Sequence, residues 1–343
     1  MIDLRSDTVT KPSPDMMQAI MNAKVGDDVY AEDPDVNTLQ CYVAELLGKD
    51  DAIYVPSGSM SNQLGVKVNT NPGDEVILEQ DAHIFYFETA APAIISNVQC
   101  RTIHSTYGQM PLDAIEQAIR PNVYYFPKTT LLCLENTHNR HGGTIISLDY
   151  IKQVRQLTQQ HNIRMHLDGA RLWNASIATG ITVKEYANYF DTISVCLSKG
   201  LGAPVGSVLV GDKQSITKAK RWRKILGGGM RQAGILAAAG LYALTHNIER
   251  LVEDHNNAKF FANAISNISG VNVDMNTVQT NMVAFETPDY LPAATLVSKC
   301  KDAGVLFNSI AQNKIRIVFH LDVSSEDAVK ASEVVRDAIL NSK

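Results

Sequence analysis

Ser194-Val195-Cys196-Leu197-Ser198-Lys199-Gly200-Leu201-Gly202-Ala203-Pro204 carries an apolar run to a lysine and then to two glycines. A short apolar run bounded by turn residues reads as a buried strand, so Thr192–Leu197 is expected to deliver Lys199 at its carboxyl end. In open α/β sheets, ligands sit beyond the carboxyl ends of the strands. A lysine in a dry site there has a lowered pKa, which frees a nucleophilic amine able to bond to a carbonyl carbon. Alone, the stretch fits equally well a lysine that simply leaves the sheet edge.

Two upstream stretches have the same form. Ile163–Leu167 is expected to be a strand ending in Asp168-Gly169, within His166-Leu167-Asp168-Gly169-Ala170-Arg171. A carboxylate at that position is either a turn residue with a surface ion pair or an acid held under a pyridine nitrogen, keeping it protonated. Ala52–Val55 is expected to be a strand, followed by Ser57-Gly58-Ser59 and a helix. Small residues let backbone N–H groups approach an anion, and the helix dipole favours a phosphate there; a plain strand–helix turn is the alternative. Phosphate turn, acid and lysine, in that order, are expected of a fold-type I pyridoxal 5′-phosphate enzyme. A nicotinamide site is a poorer match, because Gly200-x-Gly202 lacks a third glycine and the acid that should follow.

Further strands are expected at Val76–Leu78, Leu131–Leu134 and Ser207–Val210, and helices at Asp15–Asn22, Val36–Leu47 and, capped by Ser147, Leu148–His161. This alternation predicts α/β architecture, a mostly parallel sheet covered by helices. Beyond about residue 250 the pattern turns to α+β: strands at Val271–Val273, Met282–Phe285 and Ile315–Val318, with helices near Ala293–Ala303 and Ser325–Leu340. The expected division is a large domain over residues 1–250 and a small C-terminal domain over 251–343. A length of 343 residues is too great for one ordinary core.

With a net charge of −5 and scattered Lys and Arg, a nucleic-acid footprint is not expected. The longest apolar stretch, Ala233–Leu244, is too short to span a bilayer. Five dispersed cysteines, Cys41, Cys100, Cys133, Cys196 and Cys300, form no C-x-x-C pair. They suit a reducing cytosol better than a disulfide or zinc framework, and the opening MIDLRSDTVT has no apolar leader. A cytoplasmic location is therefore expected. His138, His141 and Glu135 form a weak set for a metal-dependent aldolase, at no recognised ligand spacing, and no metal is expected.

Specific segments then point to a family. Ile2-Asp3-Leu4-Arg5-Ser6-Asp7-Thr8-Val9-Thr10, Val25-Gly26-Asp27-Asp28-Val29-Tyr30, Glu135-Asn136-Thr137-His138-Asn139, His166 to Arg171, Leu197-Ser198-Lys199-Gly200-Leu201 and Gly227-Gly228-Gly229-Met230-Arg231-Gln232 resemble the low-specificity L-threonine aldolases. Arg316 and His320-Leu321-Asp322-Val323-Ser324 extend the resemblance into the C-terminal region.

The resemblance implies an aspartate aminotransferase-like fold and pyridoxal-phosphate-dependent cleavage of L-threonine, L-allo-threonine and related β-hydroxy-α-amino acids to glycine and an aldehyde. It implies that Lys199 holds the cofactor covalently, Asp168 faces the pyridine nitrogen, and His83 stacks on the ring and takes the hydroxyl proton. Ser57, Gly58 and Ser59 would hold the phosphate, with Arg231 also toward the cofactor; the family often has threonine at position 59. Arg171 and Arg316 match carboxylate-binding positions, Arg171 lying near the cofactor too, and Ser6 and Tyr30 join them toward the substrate. Glu88 lies near a matching segment, without a definite role. Where the family frequently has a histidine near the substrate hydroxyl, an ungapped lineup puts Tyr125, a poorer base at neutral pH. The assembly implied is a homotetramer, a dimer of dimers with active sites at the dimer interface. Other fold-type I reactions, β-elimination or hydroxymethyl transfer, and a non-catalytic module are the rivals.

Overall fold

The computed structural model describes residues 1–342. The strands among these are β1 (Ile2–Asp3), β2 (Asp51–Val55), β3 (Glu75–Glu79), β4 (Gln99–Ile103), β5 (Thr129–Glu135), β6 (Arg164–Gly169), β7 (Thr192–Cys196), β8 (Ser207–Gly211), β9 (Asn272–Val273), β10 (Met282–Glu286), β11 (Val305–Leu306), β12 (Asn308–Ala311) and β13 (Lys314–Val318). Seven of them form one sheet in the order β2-β8-β7-β6-β5-β3-β4. β8 runs antiparallel to both neighbours, and the other pairings are parallel. The carboxyl ends of β2, β3, β5, β6 and β7 therefore share one edge, where an α/β sheet places its site. β7 and β8 are buried along their whole length, as helices on both faces require, and even their polar residues Thr192, Ser194 and Ser207 lie inside.

The expected strands are present, most of them a residue or two longer. Ser147 caps helix Leu148–Gln160 as expected, and Ser57 likewise caps helix Gly58–Asn69, each accepting a first-turn N–H. Edge strand β4 was not legible: Gln99, Arg101 and Thr102 interrupt any apolar run, and the strand is only partly buried.

A second core gathers Phe261, Ile265, Phe285, Ile317, Phe319 and Val335, with β9, β10, β12 and β13 in an antiparallel sheet. The first core, packed against the seven-stranded sheet, includes Ile193, Val195 and Leu244. Helix Leu251–Ser266 bridges them, with Leu251 in the first and Phe261 in the second. Ile2 and Leu4 also pack into the second core, because β1 pairs with β11. The N-terminal segment, expected to go with the larger unit, thus ties the two together.

Candidate active site

β2 ends at Val55, and helix Gly58–Asn69 begins within three residues of it. Ser57 Oγ accepts the Met60 N–H at 3.2 Å. The N–H groups of Gly58 and Ser59 have no acceptor within the helix and are the first donors an anion meets. The turn packs tightly on β7: a Cβ at position 58 would lie 2.8 Å from Cys196 Sγ, so only glycine allows the approach.

Asp168 lies near the end of β6 and is buried. Its Oδ2 accepts Asn62 Nδ2 at 2.8 Å, and its Oδ1 accepts the Ala170 N–H at 3.1 Å. His166, two residues earlier on the same face, contacts Thr192 Oγ1 at 2.9 Å and Asn62 Oδ1 at 3.3 Å. Burial pushes the His166 pKa down to about 4 despite the Asp168 charge, so this ring is neutral at pH 7.

Lys199 follows β7 in a turn closed by Gly202 N–H to Lys199 C=O (2.8 Å) and Ala203 N–H to Leu197 C=O (3.2 Å). Gly202 adopts φ +77°, which glycine alone takes without strain. Thr10 Oγ1 donates to the Lys199 carbonyl at 3.0 Å, pinning the lysine backbone to the N-terminal segment.

His83 opens the short helix His83–Tyr86 just past β3. Its backbone N–H donates to Glu135 Oε2 at 2.6 Å, and its Nδ1 lies 2.9 Å from Glu88 Oε1. Burial lowers the imidazole pKa, but the bond to Glu88 and the charges of Asp168 and Glu135 outweigh it, so the net shift is upward.

The cationic end is asymmetric. Arg171 is buried and grips Asp7 at two points, while Arg316 Nη1 donates to Asn139 Oδ1 at 2.7 Å and its buried Nε has no partner. Burial and the neighbouring Arg171 charge lower the Arg316 pKa. Asp7 is taken up by Arg171, and among the described residues no carboxylate lies within salt-bridge distance of Arg316, which leaves its charge available to an anionic substrate group. Asn139 is itself held, its N–H donating to Glu135 Oε1 at 2.9 Å.

Lys199, Asp168, His83, Ser57, Gly58 and Ser59 line one cavity of about 260 Å³. A smaller recess of about 110 Å³ shares His83, Asp168 and Lys199 with it and adds Ser6, Arg171 and Arg316. A larger cavity of about 570 Å³ lies under the 119–129 loop and is lined by Glu116, Lys128 and His161 among others, but it sits at the amino end of β5, away from the strand carboxyl ends where an α/β sheet places its site. Three sequence-assigned residues do not reach the site of their own chain: Tyr30 is 72% exposed, Tyr125 65% exposed, and Arg231, its side chain 54% exposed, pairs with Asp27. His138 and His141 do meet a carboxylate, but chiefly that of Glu79, at 3.0 and 3.6 Å, with Glu135 4.0 Å from His138. Both Glu79 oxygens accept further bonds, from the Asp81 N–H and Ser105 Oγ.

Sequence reasoning missed Asp7, Asn62, Glu135 and Asn139 as members of the site and gave Glu88 little weight. Asp7, Glu135 and Asn139 stood inside matching segments, which was a signal without a role. Asn62 had none beyond lying one turn into the phosphate-side helix.

This donor set fits pyridoxal 5′-phosphate. Open helix N-terminal amides suit its phosphate, a buried acid its ring nitrogen and a cavity-lining lysine its carbonyl, while the partnerless Arg316 Nε suits a carboxylate beside it.

Comparison with known proteins agrees. The beta-eliminating lyase family pattern matches residues 3–288. The chain is 45% identical over 333 residues to the low specificity L-threonine aldolase of Escherichia coli K12, covering 97% of each chain. It is 42% identical over 345 residues to the low-specificity L-threonine aldolase 1 of Arabidopsis thaliana, covering 99% of this chain and 96% of that one. Among solved structures, the Leishmania major threonine aldolase superposes with a TM-score of 0.84 at 17% identity, over 99% of this chain and 100% of that one. That likeness bears out the fold the sequence implied. The chain belongs to the beta-eliminating lyase family.

Proposed function

We propose that this chain is a lyase that uses pyridoxal 5′-phosphate to cleave the Cα–Cβ bond of L-threonine, L-allo-threonine and related β-hydroxy-α-amino acids, yielding glycine and an aldehyde (acetaldehyde from threonine). The carrying observation is that Lys199, Asp168 and His83 border the cavity while Arg171 and Arg316 border the recess that shares those three residues.

In this reading Lys199 holds the cofactor covalently, Asp168 pairs with its ring nitrogen, and Ser57, Gly58 and Ser59 hold its phosphate. Once bound, the cofactor supplies an electron sink for the bond that breaks. Arg316, beside Arg171, takes the substrate carboxylate and so fixes which bond at Cα is broken. His83 takes the β-hydroxyl proton, which lets the aldehyde form as the Cα–Cβ bond opens. Glu135 steadies this arrangement from behind, holding the backbone of His83 with one oxygen and that of Asn139 with the other.

We also propose a homotetramer in which the neighbouring subunit supplies Tyr30, Tyr125 and Arg231 to the site. The support is their exposure on their own chain. A cytoplasmic setting and a role in threonine breakdown and glycine supply fit the five unpaired cysteines and the reaction. No helix among the described residues is long and apolar enough to cross a membrane.

The test is aldehyde release from L-threonine and L-allo-threonine by the cofactor-loaded protein beside Lys199→Ala. Release by the wild type alone supports the reading. Ammonia and a keto acid in place of glycine and aldehyde would replace it with β-elimination.

A further inference from the structure

Glu88 is a fully buried carboxylate with no arginine or lysine beside it among the described residues. Three donors converge on it. His83 Nδ1 and Asn62 Nδ2 reach Oε1 at 2.9 and 2.8 Å, and Gln63 Nε2 reaches Oε2 at 2.5 Å. The backbone just beyond is strained to hold it there. Thr89 and Ala90 are consecutive non-glycine residues at φ +55° and +56°, a left-handed conformation that L side chains adopt only under strain. Such strain persists only where surrounding contacts over-determine it, and it clusters at functional sites.

The hydrogen bonds behind Glu88 have one consistent direction. Asn69 Nδ2 donates to Thr192 Oγ1 at 2.7 Å. The Thr192 hydroxyl is then free to donate to His166 Nδ1, which leaves the neutral His166 ring donating from Nε2 to Asn62 Oδ1. That fixes the Asn62 amide with its NH2 toward the carboxylates, where it bridges Glu88 Oε1 and Asp168 Oδ2 at 2.8 Å each. Every donor in the chain points toward the two acids.

We infer that Glu88 is the positioning residue of His83: it accepts the proton on Nδ1, so that Nε2 carries the lone pair facing the cavity. The Asn69–Thr192–His166–Asn62 chain orients Asn62 so that Glu88 and Asp168 are held as one acceptor pair. This rests on His83 acting as the base in the proposed reaction, but the positioning itself can be measured without that reaction. The ionisable groups around His83 are Glu88, Glu135 and Asp168, with Lys199 bordering the same cavity.

Glu88→Gln is the discriminating variant, and the fold has room for it. Gln63 Oε1 is buried without a partner, so a flip of the Gln63 amide lets it accept from the new side chain, whose oxygen still takes His83 and Asn62. NMR titration of ¹⁵N-histidine-labelled, cofactor-free protein reads His83 directly. The wild type should show protonated Nδ1 in the neutral ring, and Glu88→Gln should lower the His83 midpoint by about one to three pH units. A midpoint that does not move, or a wild-type ring protonated on Nε2, overturns the inference. In the loaded enzyme the acid limb of kcat/KM should fall by the same amount, with KM little changed. Glu88→Asp, which keeps the charge, should restore most of the His83 midpoint; no recovery there would overturn the charge-based account. If the wild type releases no aldehyde, the aldolase reading fails while the NMR result still decides the role of Glu88.

Discussion

Arg171 donates from Nε to Asp7 Oδ2 at 2.7 Å and from Nη2 to Asp7 Oδ1 at 2.6 Å, across 164 residues of chain. Neither side chain meets solvent appreciably. The guanidinium that the resemblance assigned to the substrate is thus already committed on one edge, and the N-terminal segment is locked onto the large sheet by the same contact.

Asp7→Asn should therefore cost stability rather than activity alone. It strands a buried cation, a loss of about 3–5 kcal/mol at pH 7. Arg171 holds the Asp7 carboxyl down at about 2, although burial by itself would raise it from 3.8. A folded pKa below the unfolded one gives stability that is complete above the unfolded value and is lost as pH falls toward the folded one. The gap between wild type and variant should narrow between about pH 4 and 2. Urea denaturation at pH 7 and pH 3 measures it, and a constant gap would contradict the pairing.

Arg316 is the less committed cation, with its Nε unpartnered. Arg316→Ala should weaken kcat/KM for threonine by about 10- to 100-fold, the worth of a charge-assisted bond. Arg316→Lys should recover only part of this, because an ammonium lacks the planar fork. Full recovery by lysine would mean that simple charge suffices.

If His83 is the base of the proposed reaction, His83→Asn should reduce kcat/KM by about 10²- to 10⁴-fold. The surrounding carboxylates raise the His83 pKa above 6.5. A base must be neutral to act, so wild-type activity should climb as pH rises through a midpoint above 6.5, and the variant should lose that limb. A pH–rate profile of both proteins decides it.

Gly65 sits in the phosphate-side helix directly over the His166 ring, and a Cβ there would collide with it. Gly65→Ala should destabilise the fold by about 1–3 kcal/mol through overpacking, although alanine is the better helix former. Thermal unfolding tests this; a stabilised variant would show that the ring moves freely.

Tyr30, Tyr125 and Arg231 give the assembly a test. Lys199→Ala and Arg231→Ala proteins, each inactive, should on unfolding and co-refolding regain about a quarter of native activity if Arg231 serves the neighbouring site of a two-fold dimer. No recovery would place Arg231 elsewhere.

Local pattern was enough to bring Lys199, Asp168 and the Ser57-Gly58-Ser59 turn to one cavity, because each follows a short, mostly apolar strand, and strand ends in a parallel sheet meet at one edge. The register that sets Glu135 beside Asp168 completes that edge. It was not enough to find β4, whose polar residues hide its pairing, or Asn62, an ordinary polar residue one helical turn past Ser59. Which charges compensate which was decided only in three dimensions. Asp7 could have served any cation and Glu88 any donor. Burial removes water as their alternative partner, so each pairs with whatever the fold brings within 3 Å. Residue types and their order along the chain thus suggested the chemistry, while the long-range packing of buried charges decided which carboxylate His83 Nδ1 meets and which arginine keeps an unpartnered nitrogen.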